Sequence, residues 1–363
     1  MTIITDRTLE VISSSTPVGR TTVEELLSPT QPQSRTTALH DVLEGTRRSR
    51  PRIRSVRSES ATTNVAEVVS ESGVEADLYL TEAADGTGLD GFRVVASPSG
   101  TTPASFREEI DRLGAVGSVY LRDQDHLEDD DRVVAVSSLV KIFVLLALVT
   151  EQRRGRLTWS DRLPVQEPDV HPRSAGLGRQ HIGQSVPVAD LTRLMMLRSD
   201  NTATDLLLRS IGDQALVDAQ LAAGVPGGLA RPLMATSATW AHEDQAHPVE
   251  DPGQVELPVR HAHHDYHYPL RTLVSAADLI GTTADEVWPG GDALGGQLRY
   301  KGGSAAGVLA GLWHLRRPGA VPAALAMSVN ATRHLGVIEE VHLLTCADQV
   351  LQTMGKTRAG VPA

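Results

Sequence analysis

Residues 142–149 read IFVLLALV, eight apolar residues in succession. Wound as a helix, such a run has no polar face, so it must be enclosed on nearly all sides. It is far short of the roughly 20 apolar residues that a membrane-spanning helix needs, so a protein core must supply the enclosure. With 363 residues the chain is long enough for one large domain plus an extension, or for two domains. Aromatic residues are only 3% of the chain, so the core has to rest on Leu, Val, Ile and Ala. A lysine, Lys141, stands at the head of this run, three residues after Ser138.

The surrounding pattern predicts mixed α and β structure. PASFREEIDRLG (103–114) has Pro103 near its first turn, acids following and a glycine stop, which predicts a helix. AVGSVYL (115–121) and RVVAV (132–136) are expected to pair as a hairpin around the acidic turn DQDHLEDDD. Helices are expected at 137–157, 187–199, 202–212 and 275–288, with Gly212 ending the third. Strands are expected at 297–302, 307–315 and 321–329, then a final helix over 338–354 that contains Cys346. Residues 240–270 are polar and rich in His and Pro, without periodicity, and are expected to form a loop or lid.

The N-terminal third differs in composition. Residues 1–65 are rich in Ser, Thr, Arg and Pro and are expected to form a mostly disordered arm with a short helix at 37–45. Its basic cluster, Arg47, Arg48, Arg50, Arg52, Arg54 and Arg57, is expected to be solvated. Residues 66–102 form a short structured segment, with VEADLYL and FRVVA around a Gly/Asp turn. The remaining domain is expected to span 103–358.

Several function classes are disfavoured. A net charge of −11 argues against general nucleic-acid binding. The single cysteine excludes an internal disulfide, which fits a reducing compartment. MTIITDRTLEVISSSTP has neither a basic n-region nor an uninterrupted apolar h-region, so a cytoplasmic location without membrane association is expected.

Three short motifs carry chemistry: Ser138-Leu-Val-Lys141, Ser199-Asp200-Asn201, and Lys301-Gly302-Gly303-Ser304. At helical spacing Ser138 and Lys141 share one face, a turn apart. A lysine heading a buried helix is desolvated and near the positive helix end, and both effects lower its pKa. A neutral lysine can accept the proton of a serine, which is a poor nucleophile without such a partner. Ser137 has Val140 three places on, so Ser138 is the nucleophile. Each motif also has a plain structural reading: a helix N-cap at Asp200, a strand-end charge at Lys301, a bulge at the two glycines.

In this order and at these separations, Ser-x-x-Lys, SDNTATDLLL and Lys-Gly-Gly-Ser resemble the serine β-lactamase and penicillin-binding-protein superfamily, class A branch, over roughly 103–355. The Lys-Gly-Gly-Ser form resembles that of actinobacterial β-lactamase-like serine hydrolases, some from clavulanic-acid-type gene clusters. The resemblance implies an α+β fold, an antiparallel sheet flanked by helices plus an all-helical lobe. It implies that Ser138 forms an acyl-enzyme, Lys141 is the general base, and Ser199 relays protons to the leaving group. Asn201 would bind the substrate amide and Lys141. Lys301 would place positive charge near Ser199 and a substrate carboxylate. The backbone N–H groups of Ser138 and Ser304 would form the oxyanion hole. Gly302 and Gly303 would let a substrate approach the strand edge. The substrate implied is a small molecule with an amide, lactam or ester carbonyl, and no cofactor is required.

Two features depart from that family. The loop after the second motif reads LMATSATW (233–240) and has no carboxylate to activate the deacylating water. The family's glutamate aligns near Thr239, with Glu243 or Asp244 downstream as substitutes. A slow esterase, or an acyl-transfer or cyclisation enzyme of secondary metabolism, therefore stands beside a β-lactam hydrolase. A catalytically impaired binding protein is the alternative. The second departure is a histidine cluster, His242, His247, His261, His263, His264 and His267, on which a metal-dependent hydrolase would rest. No metal is expected.

Overall fold

The structure is a computed structural model that describes residues 2–29, 31–32, 34–124, 126–172, 174, 176–237 and 266–354. The expected lid, except its last residues, and the histidine cluster, except His267, lie outside these. The chain divides into two compact units, residues 1–113 with 333–353, and residues 114–332 with 354–363. The helices at 103–113 and 337–354 group with the first unit.

In the first unit the expected disordered arm is folded. Helices α1 (Ile3–Ser13), α2 (Arg20–Leu26) and α3 (Ser34–Arg48) precede a four-stranded antiparallel meander, β1 (Arg52–Ser58), β2 (Thr63–Val69), β3 (Glu75–Glu82) and β4 (Leu89–Val95). Helix α1 buries Thr5, Thr8, Leu9 and Ile12, a one-sided stripe at helical spacing. Half of that stripe is threonine, which is why the helix is hard to see in the sequence. The threonines have partners: Thr5 Oγ1 donates to Glu82 at 2.6 Å and accepts from Asn64 Nδ2 at 2.9 Å, and Thr2 also donates to Glu82. In α3, Glu44 accepts from Arg47, Arg48 and the Val18 N–H. Burial opposes its ionisation, but these donors hold its pKa down to about 2.

The basic cluster is therefore not a free polycation. Arg50 pairs with Glu71, Arg54 with Glu75, and Arg57 with Glu67 and Asp77 on the neighbouring strands. Helices α4 (Pro103–Leu113) and α9 (Val337–Met354) complete the unit. Gly336 lies so close to Ser49 that a Cβ would sit 2.4 Å from its backbone nitrogen. Glu339, fully buried, accepts from Ser49 Oγ (2.6 Å), Ser72 Oγ, Arg333 and the Gly336 N–H.

The second unit is a six-stranded antiparallel sheet with a helical lobe. The strand order is β11 (Gly291–Ala293), β12 (Gly296–Ala305), β13 (Val308–Arg316), β14 (Ala323–Asn330), β5 (Val116–Asp123), β6 (His126–Asp129). One expectation fails here. The partner of β5 is β6, cut from the supposed acidic turn, while β7 (Val133–Ala135) pairs with β10 (His267–Pro269). Polar bonds explain the diversion: Asn330 accepts from Ala135 N–H, and Asn330 and Ser328 donate to Ala135 O.

The lobe is built around α5 (Lys141–Arg153), in which residues 141–149 are all buried, as an all-apolar helix requires. Helices α6 (Val188–Leu197), α7 (Asn201–Ala222) and α8 (Leu270–Ile280) pack against it. Gly212, at φ +75°, breaks α7 where a stop was expected, and the helix resumes beyond it. Helix α8 starts at 270 rather than 275 and ends at Gly281, because Pro269 closes β10 directly before its first turn. A short two-stranded pair, β8 (Arg162–Pro164) with β9 (Ser185–Pro187), finishes the unit. Among the described residues, no helix is long and apolar enough to cross a membrane.

Candidate active site

Ser138 is not on α5 itself but on the 3-10 turn Ser137–Val140 that feeds it. A 3-10 turn has three residues per turn, so positions i and i+3 eclipse. The turn is held at both ends. Ser137 adopts φ +46°, rare for a residue with a side chain, and its Oγ donates to Ser304 O at 2.8 Å. Ser137 thus ties the turn to β12.

The second motif is fixed by Asp200, fully buried, which caps α7. Its carboxylate accepts from Ala203 N–H at 2.7 Å and Leu177 N–H at 3.0 Å. Ser199, one residue earlier, is held at φ +54°, and Asn201 opens the helix. Strained backbone of this kind persists where the surroundings over-determine it.

The third motif lies on β12, whose residues alternate in burial: Arg299, Lys301 and Gly303 are buried, while Tyr300 and Ser304 are exposed. Arg299 reaches Gly281 O at 2.9 Å and pairs with Asp285, anchoring the strand two residues before Lys301. Gly303 is also required by the fold. A Cβ there would lie 2.8 Å from Val136 O and 3.0 Å from Ser138 N, so the close neighbour is the protein's own serine turn.

Four of these side chains meet. Lys141 Nζ donates to Ser199 O (2.6 Å), Ser199 Oγ (3.1 Å) and Asn201 Oδ1 (2.7 Å). Lys301 Nζ lies 3.0 Å from the same Ser199 Oγ and 2.6 Å from Gly302 O. The serine hydroxyl is therefore shared by two lysines that are 1% and 3% exposed. Burial, reinforced by the charge of Lys301, lowers the Lys141 pKa to about 7. Burial takes Lys301 to about 8. The contribution of Lys301 to Lys141 could not be read from either motif alone. Ser138 takes no part in this lysine network. It lines a cavity of about 160 Å³ with Lys141, Asn201, Ser304 and Ser137.

The rest of that cavity was not foreseen: His171, Thr204, Thr236 and an apolar wall including Leu208, Leu233, Met234 and Tyr266. Five of these, His171, Leu233, Met234, Thr236 and Tyr266, lie more than 25 residues from any of the three motifs, while Thr204 and Leu208 follow Ser199-Asp200-Asn201 on α7. Among the described residues, no group of three or more His, Cys, Asp or Glu is placed to hold a metal.

Comparison with known proteins agrees with this architecture. Residues 106–250 match the sequence model described as the Beta-lactamase enzyme family. Among solved structures, the chain is similar to a β-lactamase from Sphaerobacter thermophilus, with 18% identity and a TM-score of 0.53, covering 71% of this chain and 97% of that one. It is also similar to the penicillin-binding protein PBP-A, at 16% identity, TM-score 0.48, and 70% and 97% coverage. A class A β-lactamase from Mycobacterium abscessus gives 16%, 0.47, and 70% and 99%. No curated protein matches the sequence. The likeness to the Sphaerobacter thermophilus β-lactamase shows a shared β-lactamase-like fold, and the match to the β-lactamase enzyme family spans residues 106–250.

Proposed function

We propose that the protein is a serine hydrolase that opens a small amide, lactam or ester through a Ser138 acyl-enzyme. The observation that carries this reading is the convergence of two buried lysines on Ser199 Oγ beside the cavity that Ser138 lines. With its pKa near 7, Lys141 is substantially neutral at physiological pH and takes the Ser138 proton as Oγ attacks the carbonyl carbon. The backbone N–H groups of Ser138 and Ser304 face the developing oxyanion, a role supported by the close approach that Gly303 permits. The proton passes from Lys141 through Ser199 Oγ to the departing nitrogen or oxygen. Asn201 orients Lys141 and the substrate amide, and Lys301 with Ser304 receives a substrate carboxylate.

A fluorophosphonate or β-lactam probe with intact-mass readout tests this. A single adduct is expected, absent in Ser138→Ala. An unmodified wild-type protein, or an adduct that persists in that variant, sinks the mechanism. The reading as a binding protein without turnover predicts the first of those results. The metal-dependent reading rests on a histidine cluster that, except for His267, lies outside the described residues, and it is separated by chelator sensitivity.

A further inference from the structure

Acylation leaves an ester on Ser138, and a hydrolase must then bring water to it. Among the described residues, no carboxylate lines the Ser138 cavity. One lies directly behind its wall. Asp205 sits four residues after Asn201 on α7, hence on the same helix face, and is 3% exposed. Its carboxylate accepts from Thr236 N–H (2.6 Å), Thr236 Oγ1 (2.8 Å) and Ser237 N–H (2.7 Å). Thr236 Oγ1 also lies 3.2 Å from Asn201 O, and Thr236 itself lines the cavity. A hydroxyl has one proton and two lone pairs. Here the proton points back to Asp205 or Asn201 O, so the oxygen offers acceptor capacity on its cavity side. The cavity is large enough to hold water beside the acyl group.

On the acyl-enzyme reading above, we propose that Thr236 is a catalytic residue of deacylation. Its hydroxyl binds the attacking water and passes the water's proton to Asp205. The water oxygen bonds to the acyl carbon as its proton moves to Thr236 Oγ1 and the threonine proton moves to Asp205. Collapse of the tetrahedral adduct breaks the bond to Ser138 Oγ. The proton returns from Asp205 by the same hydroxyl to the departing serine oxygen. One water is consumed, one carboxylic acid is released, and all three side chains are regenerated. Burial raises the Asp205 pKa against the opposing bonds from residues 236 and 237, which makes it a better temporary proton holder. The plainer role for Asp205 is to anchor residues 236–237, whose N–H groups bond to different carboxylate oxygens; an asparagine keeps one of these acceptors, whereas Thr236→Val leaves both in place.

The test uses the full-length protein acylated with benzylpenicillin, and separately with p-nitrophenyl acetate. Formation and loss of the Ser138 adduct are each followed by intact mass. Thr236→Val and Asp205→Asn are expected to acylate within about threefold of wild type but to hold the adduct on the order of 100-fold longer, the usual size of a general-base effect. Thr236→Ser is expected to restore wild-type decay, which a merely structural role would not require. Normal acylation rates in the variants show that the site has folded. Equal decay rates in wild type, Thr236→Val and Asp205→Asn overturn the relay alone. So does a wild-type adduct that does not decay, or slow decay in His171→Gln with normal decay in Thr236→Val. Absence of any wild-type adduct overturns the acyl-enzyme reading instead.

Discussion

The paired lysines make a prediction whose sign is fixed by electrostatics. Replacing Lys301 by methionine removes a positive charge from beside Lys141 and must raise the Lys141 pKa. Both ammonium nitrogens contact Ser199 Oγ, so they lie no more than about 6 Å apart. Two unit charges at that distance interact by about 3 kcal/mol at an effective dielectric of about 20, or about two pKa units. Burial is the larger cause of the Lys141 shift, which limits the share of Lys301 to roughly one to two units. Because Lys141 acts as a base only when neutral, the wild-type acylation rate should rise with pH through a midpoint near 7. In Lys301→Met that midpoint should move to about 8–9, and acylation at pH 7 should fall roughly tenfold or more. The rate at pH 9.5 should recover most of the difference. A fluorophosphonate carries no carboxylate for Lys301 to bind, so it isolates the effect on the base. Stopped-time labelling between pH 5.5 and 9.5 measures it. An acid limb that stays in place or moves to lower pH refutes the coupling. A wild-type rate independent of pH refutes Lys141 as the base.

Three other substitutions probe the same framework. Gly303→Ala places a methyl against Val136 O and Ser138 N, both backbone atoms, and should slow acylation by about 10²–10³, the loss of one oxyanion donor, at unchanged circular dichroism; labelling at the wild-type rate removes that role. Lys141→Met should abolish labelling and also alter the pH dependence of stability. The folded state lowers the Lys141 pKa from its ordinary 10.5 to about 7, so the unfolded state binds more protons between those values, and this group's contribution makes stability rise with pH across that window. Urea unfolding at pH 6.5 and 9.5 should therefore show a smaller difference in Lys141→Met than in wild type. In the first unit, Glu339→Ala leaves Ser49 Oγ and the Gly336 N–H without their buried acceptor, at a cost of about 3 kcal/mol in chemical unfolding.

What could be read in the sequence, and what could not, divides by the kind of force involved. The all-apolar α5, the glycine-bounded strands and the order of the motifs are local patterns set by burial and backbone freedom, and they single out Ser138, Lys141, Ser199, Asn201 and Lys301 as candidates. In the N-terminal arm, α1 and α2 were not expected and α3 only as a short helix at 37–45, because the buried faces of α1 and α3 carry Thr5, Thr8, Thr36 and Glu44. Composition reads these as solvent-facing, and only distant partners such as Glu82, Asn64 and Val18 make their burial tolerable. Strand pairing failed at β7 for the same reason, since Asn330 and Ser328 draw it away almost 200 residues along the chain.

The site shows the same division at shorter range. Asp205 stands within SDNTATDLLL, and Thr236 stands in the loop LMATSATW, which has no carboxylate. The structure instead puts the hydroxyl on the loop and the carboxylate on α7, joined by a 2.8 Å hydrogen bond. A base divided between two elements leaves no motif at either one. Its only sequence trace is an aspartate one helical turn beyond Asn201, on the face that Asn201 presents to the cavity. If Asp205→Asn and Thr236→Val both lengthen the life of the acyl-enzyme, the missing glutamate becomes a redistribution of the base rather than the loss of hydrolysis.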